Sequence, residues 1–485
     1  MSNFPNDQFR RAVQLHREGN LGGAVALYRN HLTDNPTDAT AWLMLGMCFT
    51  SLGRFEEAAE PLRHADRMNP DLPDVKTALA NALYRTGRVA EAEVAARAAV
   101  SRDESDATAH NMLGIVLRRL DRLDQAEREL RKSIELDPKN AEAIHNLSDL
   151  VRLSGRMAEA VALLERAVAI RPDFAAAQWN LAGMYMTLGD YPRAFERFEW
   201  RWLATDLRKQ RRSFSQPLWD GKPLGGKSIL VQFEQGFGDL IQFARFIPQL
   251  SQRGGGRVIV EAPASLIELI RSVEGVTEVV PHPTQSTAFD CHVPIMSLPR
   301  LLGISLENLP AQVPYLAPPA AKVARWRDIV PTAGFRVGLV WRGNPEHDRD
   351  RERSIDPALL APLLAMQGDG ITFVSLQVPR DPLAANLAVF DLSGQIRDFS
   401  DTAAIIENLD LVIGADTSVI HLAGALARPV WTMVTHWPDW RWMLLREDSP
   451  WYPTMRMFRQ HTPGDWPEVI ARVGDALRQF SQAER

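Results

Sequence analysis

The sequence lacks the features that mark secreted, membrane-spanning and nucleic-acid-binding proteins. It has only two cysteines, Cys48 and Cys291, in 485 residues, too few for a disulfide framework or a four-cysteine metal site. We interpret both as small core residues. Lysine and arginine total 55 against 60 aspartates and glutamates, so we expect no nucleic-acid partner. No apolar run has the length of a signal peptide or a transmembrane helix, which predicts a soluble, cytoplasmic protein.

The first two hundred residues instead repeat with a period of about 34 residues, the tetratricopeptide spacing. The second unit shows the pattern best, in Trp42, Leu45, Gly46, Phe49, Gly53, Ala58, Leu62, Ala65 and Pro70. Small residues let the two helices of a unit approach closely, and each helix pair buries its apolar face only by stacking on its neighbours. We therefore predict an α-solenoid, a tetratricopeptide-repeat (TPR) superhelix of about six units, over residues 5–202.

Four asparagines lie on the first helices of successive units: Asn81, Asn111, Asn146 and Asn180. The last three are close to one period apart, whereas the first two are 30 residues apart. One interpretation is an acceptor-binding ladder that clamps a peptide backbone in the groove of the array. The other is that these asparagines only cap or solvate helices.

The periodicity changes after residue 202, where strands begin to alternate with helices. Residues 203–227 are polar, basic and rich in Gly and Pro, and we interpret them as a linker. A first Rossmann-like half, 228–325, has predicted strands at 228–233, 257–261, 276–280 and 290–293, and helices at 240–253 and 265–272. A second linker, near 318–329, leads to a second half, 330–482. Its predicted strands are at 336–341, 371–377 and 411–413 with another from 430, and its helices at 359–366, 402–409, 419–427 and 465–480. This alternation predicts the α/β class with parallel sheets.

The turn after the strand at 411–413 is the most informative stretch. Asp416, Thr417 and Ser418 precede a helix whose unpaired amides and positive dipole end face the turn, and a diphosphate is the natural occupant. His421 follows Thr417 by one helical turn and so shares its face. The alternatives are an ordinary βαβ connection and a structural histidine.

A second candidate loop follows the first strand of the first half. Gly236 and Gly238 allow this loop to run close to a ligand. Asp239 then either abstracts a proton as a general base or caps the following helix.

The charged loop 342–353 is the third candidate. Arg349 and Arg353 either reach a diphosphate or belong to a solvated surface. Asp348 and Asp350 have the spacing of a metal-binding pair but stand among arginines, so we expect no metal.

Aromatic and amide side chains complete the candidate set. Gln377 ends a predicted strand where such folds often contact a nucleotide base. Trp437 and Trp440 are candidates for stacking on a sugar or base, with core packing as the alternative, which is favoured for Trp442.

The C-terminal part resembles the ADP-heptose–lipopolysaccharide heptosyltransferases (glycosyltransferase family 9). Their Asp-Thr-x-x-x-His-Leu-x-x-Ala-Leu-x-x-Pro signature is matched by Asp416, Thr417, His421, Leu422, Ala425, Leu426 and Pro429. The resemblance implies a GT-B fold of two Rossmann-like domains and an inverting, metal-independent transfer. It also implies a nucleotide sugar as donor substrate with no other cofactor, Asp239 as the base, and Arg353 on the departing diphosphate.

The repeats are absent from ordinary lipopolysaccharide heptosyltransferases, which favours a protein or peptide acceptor. The layout and the asparagine ladder are similar to those of protein O-GlcNAc transferases, although their catalytic signature is not matched. We therefore expect a hexosyl- or heptosyltransferase that modifies a protein held by the array. The alternatives are a non-catalytic TPR scaffold with a degenerate glycosyltransferase domain and a nucleotide-binding epimerase.

Overall fold

The computed structural model describes residues 4–284, 287–346, 349–384 and 387–483. The chain forms two compact units, Met1–Gln178 and Trp179–Arg485. The division falls inside a helix, upstream of residue 202, where the sequence predicts the end of the array. Within the described ranges, no helix is long and apolar enough to cross a membrane.

The first unit is helical, and its helices contact one another as consecutive pairs. They are α1 (Phe4–Arg17), α2 (Leu21–Asp34), α3 (Ala39–Ser51), α4 (Phe55–Met68), α5 (Val75–Arg85), α6 (Val89–Arg102), α7 (Ala107–Arg119), α8 (Leu123–Leu136), α9 (Ala141–Leu153) and α10 (Met157–Ile170). The unit ends in the first turn of α11 (Ala175–Leu188). The predicted helical solenoid is confirmed.

Polar caps begin several of the first helices. Asp38, Asp106 and Asn140 accept hydrogen bonds from the backbone N–H groups of Ala41, Ala109 and Ala143 at 3.0, 3.1 and 3.0 Å. Such caps satisfy amides that have no partner inside the helix.

Glycines set the distance between the two helices of a pair. A Cβ atom on Gly46 would lie 2.5 Å from Leu62 Cγ, and one on Gly114 would lie 2.6 Å from Leu130 Cγ. The leucine of the second helix therefore occupies the space that any larger residue on the first helix would need. This contact is the physical reason for the glycine in the repeat pattern.

The second unit continues α11 and adds α12 (Tyr191–Phe198) and α13 (Arg201–Ala204) before its first sheet. Four parallel strands form that sheet in the order β3-β2-β1-β4: β1 (Ile229–Gln232), β2 (Val258–Glu261), β3 (Glu278–Val280) and β4 (Cys291–Pro294). Its helices are α14 (Phe237–Phe243), α15 (Pro248–Gln252), α16 (Ile267–Ile270) and α17 (Leu298–Leu302). The continuous helix predicted at 240–253 is wrong, because Pro248 lacks the N–H that would continue it.

Both predicted linkers are more ordered than their composition indicates. Within 203–227, Trp219 donates its backbone N–H to the carbonyl of His292 on β4 at 2.9 Å. The segment near 318–329 forms α18 (Ala320–Arg327). There the buried Trp326 donates its indole N–H to Asp401 at 3.0 Å.

The second sheet has six parallel strands in the order β10-β9-β8-β5-β6-β7. They are β5 (Phe335–Val340), β6 (Ile371–Ser375), β7 (Phe390–Asp391), β8 (Leu411–Ala415), β9 (Val430–Val434) and β10 (Met455–Arg459). The helices are α19 (Asp350–Arg353), α20 (Ala361–Leu364), α21 (Phe399–Glu407), α22 (Ser418–Ala425) and α23 (Trp466–Ala483). Parallel α/β sheets are thus confirmed. Among the described elements, the sequence missed the strands β7 and β10 and the short helices α17, α18 and α19.

Gly114→Val tests the packing between paired helices. The added side chain must displace Leu130, and we expect a loss of about 1–3 kcal/mol in the free energy of unfolding, typical of overpacked cores. Calorimetric unfolding of the purified chain measures this loss.

Gly22→Ala is the matched control, because a Cβ at Gly22 in α2 has no atom within 4 Å. Alanine has the higher helix propensity, so this variant should be as stable as the parent or slightly more stable. Equal stability of both variants would contradict the close-packing explanation.

Candidate functional site

The second sheet has a topological switch point at its centre. From β5 the chain passes to β6 and β7 on one side, whereas β8, β9 and β10 lie on the other. The loops after β5 and β8 therefore diverge and leave a crevice at the carboxyl edge, where open α/β sheets bind ligands.

A cavity of about 730 Å³ occupies this crevice and extends to the loop after β1 in the first half. Loops that follow β1, β5, β6, β8 and β9 all line it. Its volume lies within the usual range for small-molecule sites. Because each loop follows the carboxyl end of a strand, the parallel topology of both sheets brings them together.

Apart from the aromatic candidates, every predicted base or donor-site residue lines this cavity. The first half contributes Gly236, Gly238 and Asp239, and the second half contributes Arg349, Arg353, Gln377, Asp416, Thr417, Ser418 and His421. These residues span almost two hundred positions of sequence. Of the two aspartates with metal-type spacing, Asp348 lies outside the described residues, and Asp350 accepts a hydrogen bond from the Ser354 hydroxyl at 2.9 Å.

Thr417 precedes α22 and has extended backbone geometry. Its side chain is buried and does not cap its own helix. Among the described residues, the hydroxyl oxygen has no hydrogen-bond partner. A buried hydroxyl without a partner is costly, so this group is available to a ligand at the amino end of α22.

Arg353 places a cation beside the same turn. Its Nη1 donates to the backbone carbonyl of Asp416 at 3.0 Å, and its Nε lies 3.3 Å from Asp350 Oδ1. Arg349 also lines the cavity, but its bonds run to groups outside this turn. It donates to the carbonyl of Trp437 at 2.6 Å and to Glu352 at 3.0 Å. Arg353 is therefore the better placed of the two for an anion at α22.

Asp416 is a carboxyl group in an unfavourable setting. Burial and the negative charge of Asp439 raise its pKa from 3.8 to about 6, although Arg353 and Arg441 act in the opposite direction. A second negative charge near this carboxyl would favour its protonated form further.

His421 is fixed by aromatic neighbours. Its ring stacks on Trp442 with centroids 5.2 Å apart, and its Nδ1 lies 2.9 Å from the Tyr452 hydroxyl. Burial, together with Arg441, Arg245 and Arg353, lowers the pKa of His421 well below 6.5, so the imidazole is neutral.

The two halves approach each other closely at His421. A Cβ atom on Gly238 would lie 3.0 Å from His421 Cδ2. The glycine at this position therefore lets α14 of the first half pack against α22 of the second.

Asp239 reaches across the cleft to Arg441, a residue that sequence reasoning missed. Arg441 is buried, and its Nη2 donates to Asp239 Oδ1. The same guanidinium donates to Asp439 at 2.8 Å and to Gln242 at 2.5 Å. Asp239 also accepts the backbone N–H of Gly236 at 2.7 Å, so it caps the start of α14 and faces the cavity at once.

The side chain of Gln377 shapes the neighbouring loop. Its Oε1 accepts the backbone N–H groups of Trp341 at 3.3 Å and Arg342 at 3.0 Å. The amide thus holds the exit of β5 at the cavity wall.

Aromatic rings other than the predicted ones face the cavity. Phe237 and Phe399 line it, with ring centroids 5.4 Å apart in an edge-to-face arrangement across the cleft. Trp437 and Trp440 are not among the lining residues, and Trp442 is fully buried.

Three of the four asparagines of the predicted ladder belong to the first unit. Asn146 Nδ2 donates to Asn111 Oδ1 at 3.0 Å, and Asn111 is buried. Asn81 is half-buried in α5, and Asn180 belongs to the part of α11 that lies in the second unit. Asn111 and Asn146 therefore bind each other between successive repeats.

Comparison with known proteins identifies the repeats. Models of the tetratricopeptide repeat match residues 15–82, 53–116, 105–173 and 151–199. The N-terminal part of the chain is a TPR array. The last match extends past Gln178 into the second unit.

Two curated relatives cover parts of the chain. Protein FlbA of Caulobacter vibrioides is 28% identical over 329 residues, which cover 62% of this chain and 54% of FlbA. The cytochrome c-type biogenesis protein CycH of Bradyrhizobium diazoefficiens is 28% identical over 118 residues, 24% of this chain and 32% of CycH. The chain thus spans about half or less of the length of these relatives. The match to FlbA is longer than residues 1–202, so it includes part of the α/β region.

Solved structures of TPR proteins also align with the chain. A thermophilic TPR protein from Thermus thermophilus aligns with a TM-score of 0.34 and 23% identity, over 38% of this chain and 99% of that chain. The TPR protein YrrB aligns with a TM-score of 0.30 and 25% identity, over 35% of this chain and 88% of that chain.

The carboxyl of Asp416 provides a test of the cavity's electrostatics. Because its pKa is about 6 in the folded protein and near 3.8 unfolded, the folded state binds the proton more tightly. The contribution of Asp416 to the free energy of unfolding therefore falls as pH rises from 3.8 to about 6. The loss is complete above the folded pKa. Asp416→Asn should melt at a higher temperature than the parent near neutral pH, and the difference should vanish near pH 4.

Melting temperatures of parent and variant across this pH range measure that difference, in which the contributions of other groups cancel. A difference that does not change with pH would show that Asp416 has an ordinary pKa.

Proposed function

We propose that this protein is an inverting, metal-independent glycosyltransferase of the GT-B type. In this proposal, it transfers a sugar from a nucleotide-sugar donor to a protein or peptide acceptor bound by the TPR array. The observation that carries the proposal is the convergence of Asp239, Arg353 and the Asp416–Ser418 turn on one cavity at the carboxyl edges of two parallel sheets.

The amino end of α22 is the proposed donor site. Three features favour an anion there: the positive dipole end of this helix, the guanidinium of Arg353, and the hydroxyl of Thr417, which has no partner among the described residues. Positive charge beside the departing diphosphate stabilises its developing negative charge. This lowers the barrier to breaking its bond to the anomeric carbon. Arginine and helix dipole supply that charge here, which supports a transfer without a metal.

The opposite wall of the cavity carries the proposed base. The acceptor hydroxyl oxygen attacks the anomeric carbon, the bond to the nucleotide diphosphate breaks with its electron pair, and Asp239 takes the hydroxyl proton. Asp239 stands on the first half and the donor turn on the second, so attack and departure take place on opposite sides of the sugar. This arrangement suits inversion at the anomeric carbon.

The array supports a macromolecular acceptor. Stacked repeats create extended concave surfaces, which such proteins use to bind partners. Asn81, Asn111, Asn146 and Asn180 are the proposed contacts, and the bond between Asn111 and Asn146 holds two successive first helices in register.

One observation favours the alternative, a non-catalytic TPR scaffold. The carboxylate of the proposed base is already paired with Arg441. A base must release such a partner or share it when the acceptor arrives, so activity of Asp239 variants separates enzyme from scaffold.

Thr417→Val tests the donor site. Valine keeps the shape of threonine and removes only the hydroxyl. Loss of one hydrogen bond to a charged phosphate oxygen should weaken binding by about 1.5–3 kcal/mol, roughly 10- to 100-fold in Kd. A thermal-shift screen of nucleotide sugars identifies the donor, and calorimetric titration measures its Kd.

Thr432→Val is the matched control. Thr432 on β9 is also fully buried, and its hydroxyl also lacks a partner among the described residues, yet it does not line the cavity. Donor affinity should be unchanged in this variant. Equal affinities for both variants and the parent would rule out Thr417 as a donor contact.

Asp239→Asn tests the base. The amide keeps the shape and loses the basicity, so we expect donor affinity to persist and the transfer rate to fall about 10²–10⁴-fold. Single-turnover transfer to the identified acceptor measures the rate.

The control for helix capping is Asp356→Asn, because Asp356 caps a short 3₁₀ turn outside the cavity through the N–H of Ala358 at 2.9 Å. Its transfer rate should match that of the parent. If Asp239→Asn also retains the parental rate, Asp239 is a helix cap and the base lies elsewhere.

A further inference from the structure

The loop that carries Asp239 begins with a buried carboxylate. Glu234 lies two residues beyond β1 and is only 4% exposed. Its Oε1 accepts the backbone N–H of Met296 at 2.9 Å. A carboxylate removed from water needs a cation or several donors close by.

That cation is Arg201, whose side chain is fully buried in the second unit. Its Nε and Nη2 donate to the two oxygens of Glu234 at 2.9 and 3.0 Å, a bidentate pair. Further bonds run to the Ser297 hydroxyl at 2.8 Å, the Glu199 carboxylate at 3.0 Å and the Phe198 carbonyl at 3.2 Å. Such a planar fork fixes both the position and the orientation of a carboxylate.

The rest of the loop is constrained as well. Gln235, directly after Glu234, has φ of 63°, a conformation that non-glycine residues rarely adopt. Residues persist there when their surroundings hold them. At the other end of the loop, Asp239 is bound by Arg441 and by the N–H of Gly236. The loop 234–239 is thus fixed by an arginine at each end.

The segment that supplies Arg201 directly follows the last repeat and belongs to the α/β unit. The last TPR match ends at residue 199, two residues before Arg201. Within the second unit, Tyr191 of α12 is fully buried against Trp451, with ring centroids 5.6 Å apart. The helix α12, which ends the last TPR match, is therefore part of the core of the second unit.

We propose that Arg201 is a positioning residue for the loop 234–239, so that the helical segment after the last repeat sets the placement of Asp239. The kinetic part of this inference rests on the proposed glycosyl transfer. The structural part, control of the loop by Arg201, does not.

The experiment compares the full chain with its Arg201→Lys variant. Lysine keeps the charge but cannot form the bidentate fork. Hydrogen–deuterium exchange should rise about 10-fold in peptides covering the loop, since bonds to a charged group are lost. For the identified donor, KM should stay within a few-fold, whereas kcat should fall about 10²-fold because the base is misplaced.

Arg336→Lys is the matched control. Arg336 forms a comparable fork with Asp410, at 3.0 and 2.6 Å, at the amino end of β5, away from the cavity. The Arg336→Lys variant should have a lower melting temperature than the parent, with unchanged hydrogen–deuterium exchange in the loop and unchanged kcat. Glu234→Gln provides a second test if Arg201→Lys does not fold, because glutamine keeps an acceptor for Met296.

The outcomes separate this inference from the proposed function. Faster exchange confined to the loop supports positioning by Arg201. If no nucleotide sugar binds the parent chain, the transferase proposal is rejected, but the positioning role of Arg201 still stands. Unchanged exchange overturns the inference. Faster exchange spread over the whole unit, as expected from general loss of stability, also overturns it.

Discussion

The cleft of this protein depends on a cation that has been removed from water. Arg441 is buried between the two α/β halves, and a buried charge is tolerated only when it is paired and hydrogen-bonded. Its partners come from both sides of the cleft: Asp439 from its own half, and Asp239 and Gln242 from the other. Separating the halves here would remove the bonds to Asp239 and Gln242 and leave Asp439 to balance the guanidinium, so the contact between the halves is linked to the orientation of Asp239.

Negative and positive groups are also balanced on the wall of the cavity that faces Asp239. Asp416 and Asp439 bring negative charge close together, which raises the pKa of Asp416 to about 6. A diphosphate at α22 would add further negative charge, and Arg353 stands beside the turn to offset it. In our proposal, the carboxylates of Asp239 and Asp439 hold Arg441 in place, whereas the helix terminus and Arg353 hold the phosphates.

Sequence reasoning predicted the parts of this architecture that depend on local pattern. The 34-residue period predicts the helix pairs because the same close packing recurs between repeats, as Gly46 on Leu62 and Gly114 on Leu130 show. Apolar strands followed by polar turns locate the carboxyl edge, since parallel strands bring those turns together. Hence the proposed base, the phosphate-site candidates and Gln377 meet in one cavity, whereas the stacking candidates Trp437 and Trp440 do not line it.

The residues that were missed depend on contacts distant in sequence. Arg441 meets Asp239 across about two hundred positions, and Arg201 meets Glu234 across more than thirty. Each arginine stands between two tryptophans, in a stretch whose local pattern fits a buried arginine and an exposed one equally well. No local periodicity distinguishes a buried arginine from an exposed one, because the difference lies in the partner.

The role of the last repeat follows from the same distant contacts. A solenoid helix needs only its neighbours, and the first unit obeys that rule. In the second unit, α12 and the segment after it also bury Tyr191 and Arg201 beside the residues that shape the cleft. A chain that began after Arg201 would leave Glu234 without its cation, a loss that costs about 3–5 kcal/mol when one partner of a buried pair is removed. The boundary between the two compact units therefore lies before α12, inside the repeat pattern. In our proposal, α12 and the segment after it serve as part of the scaffold of the active site.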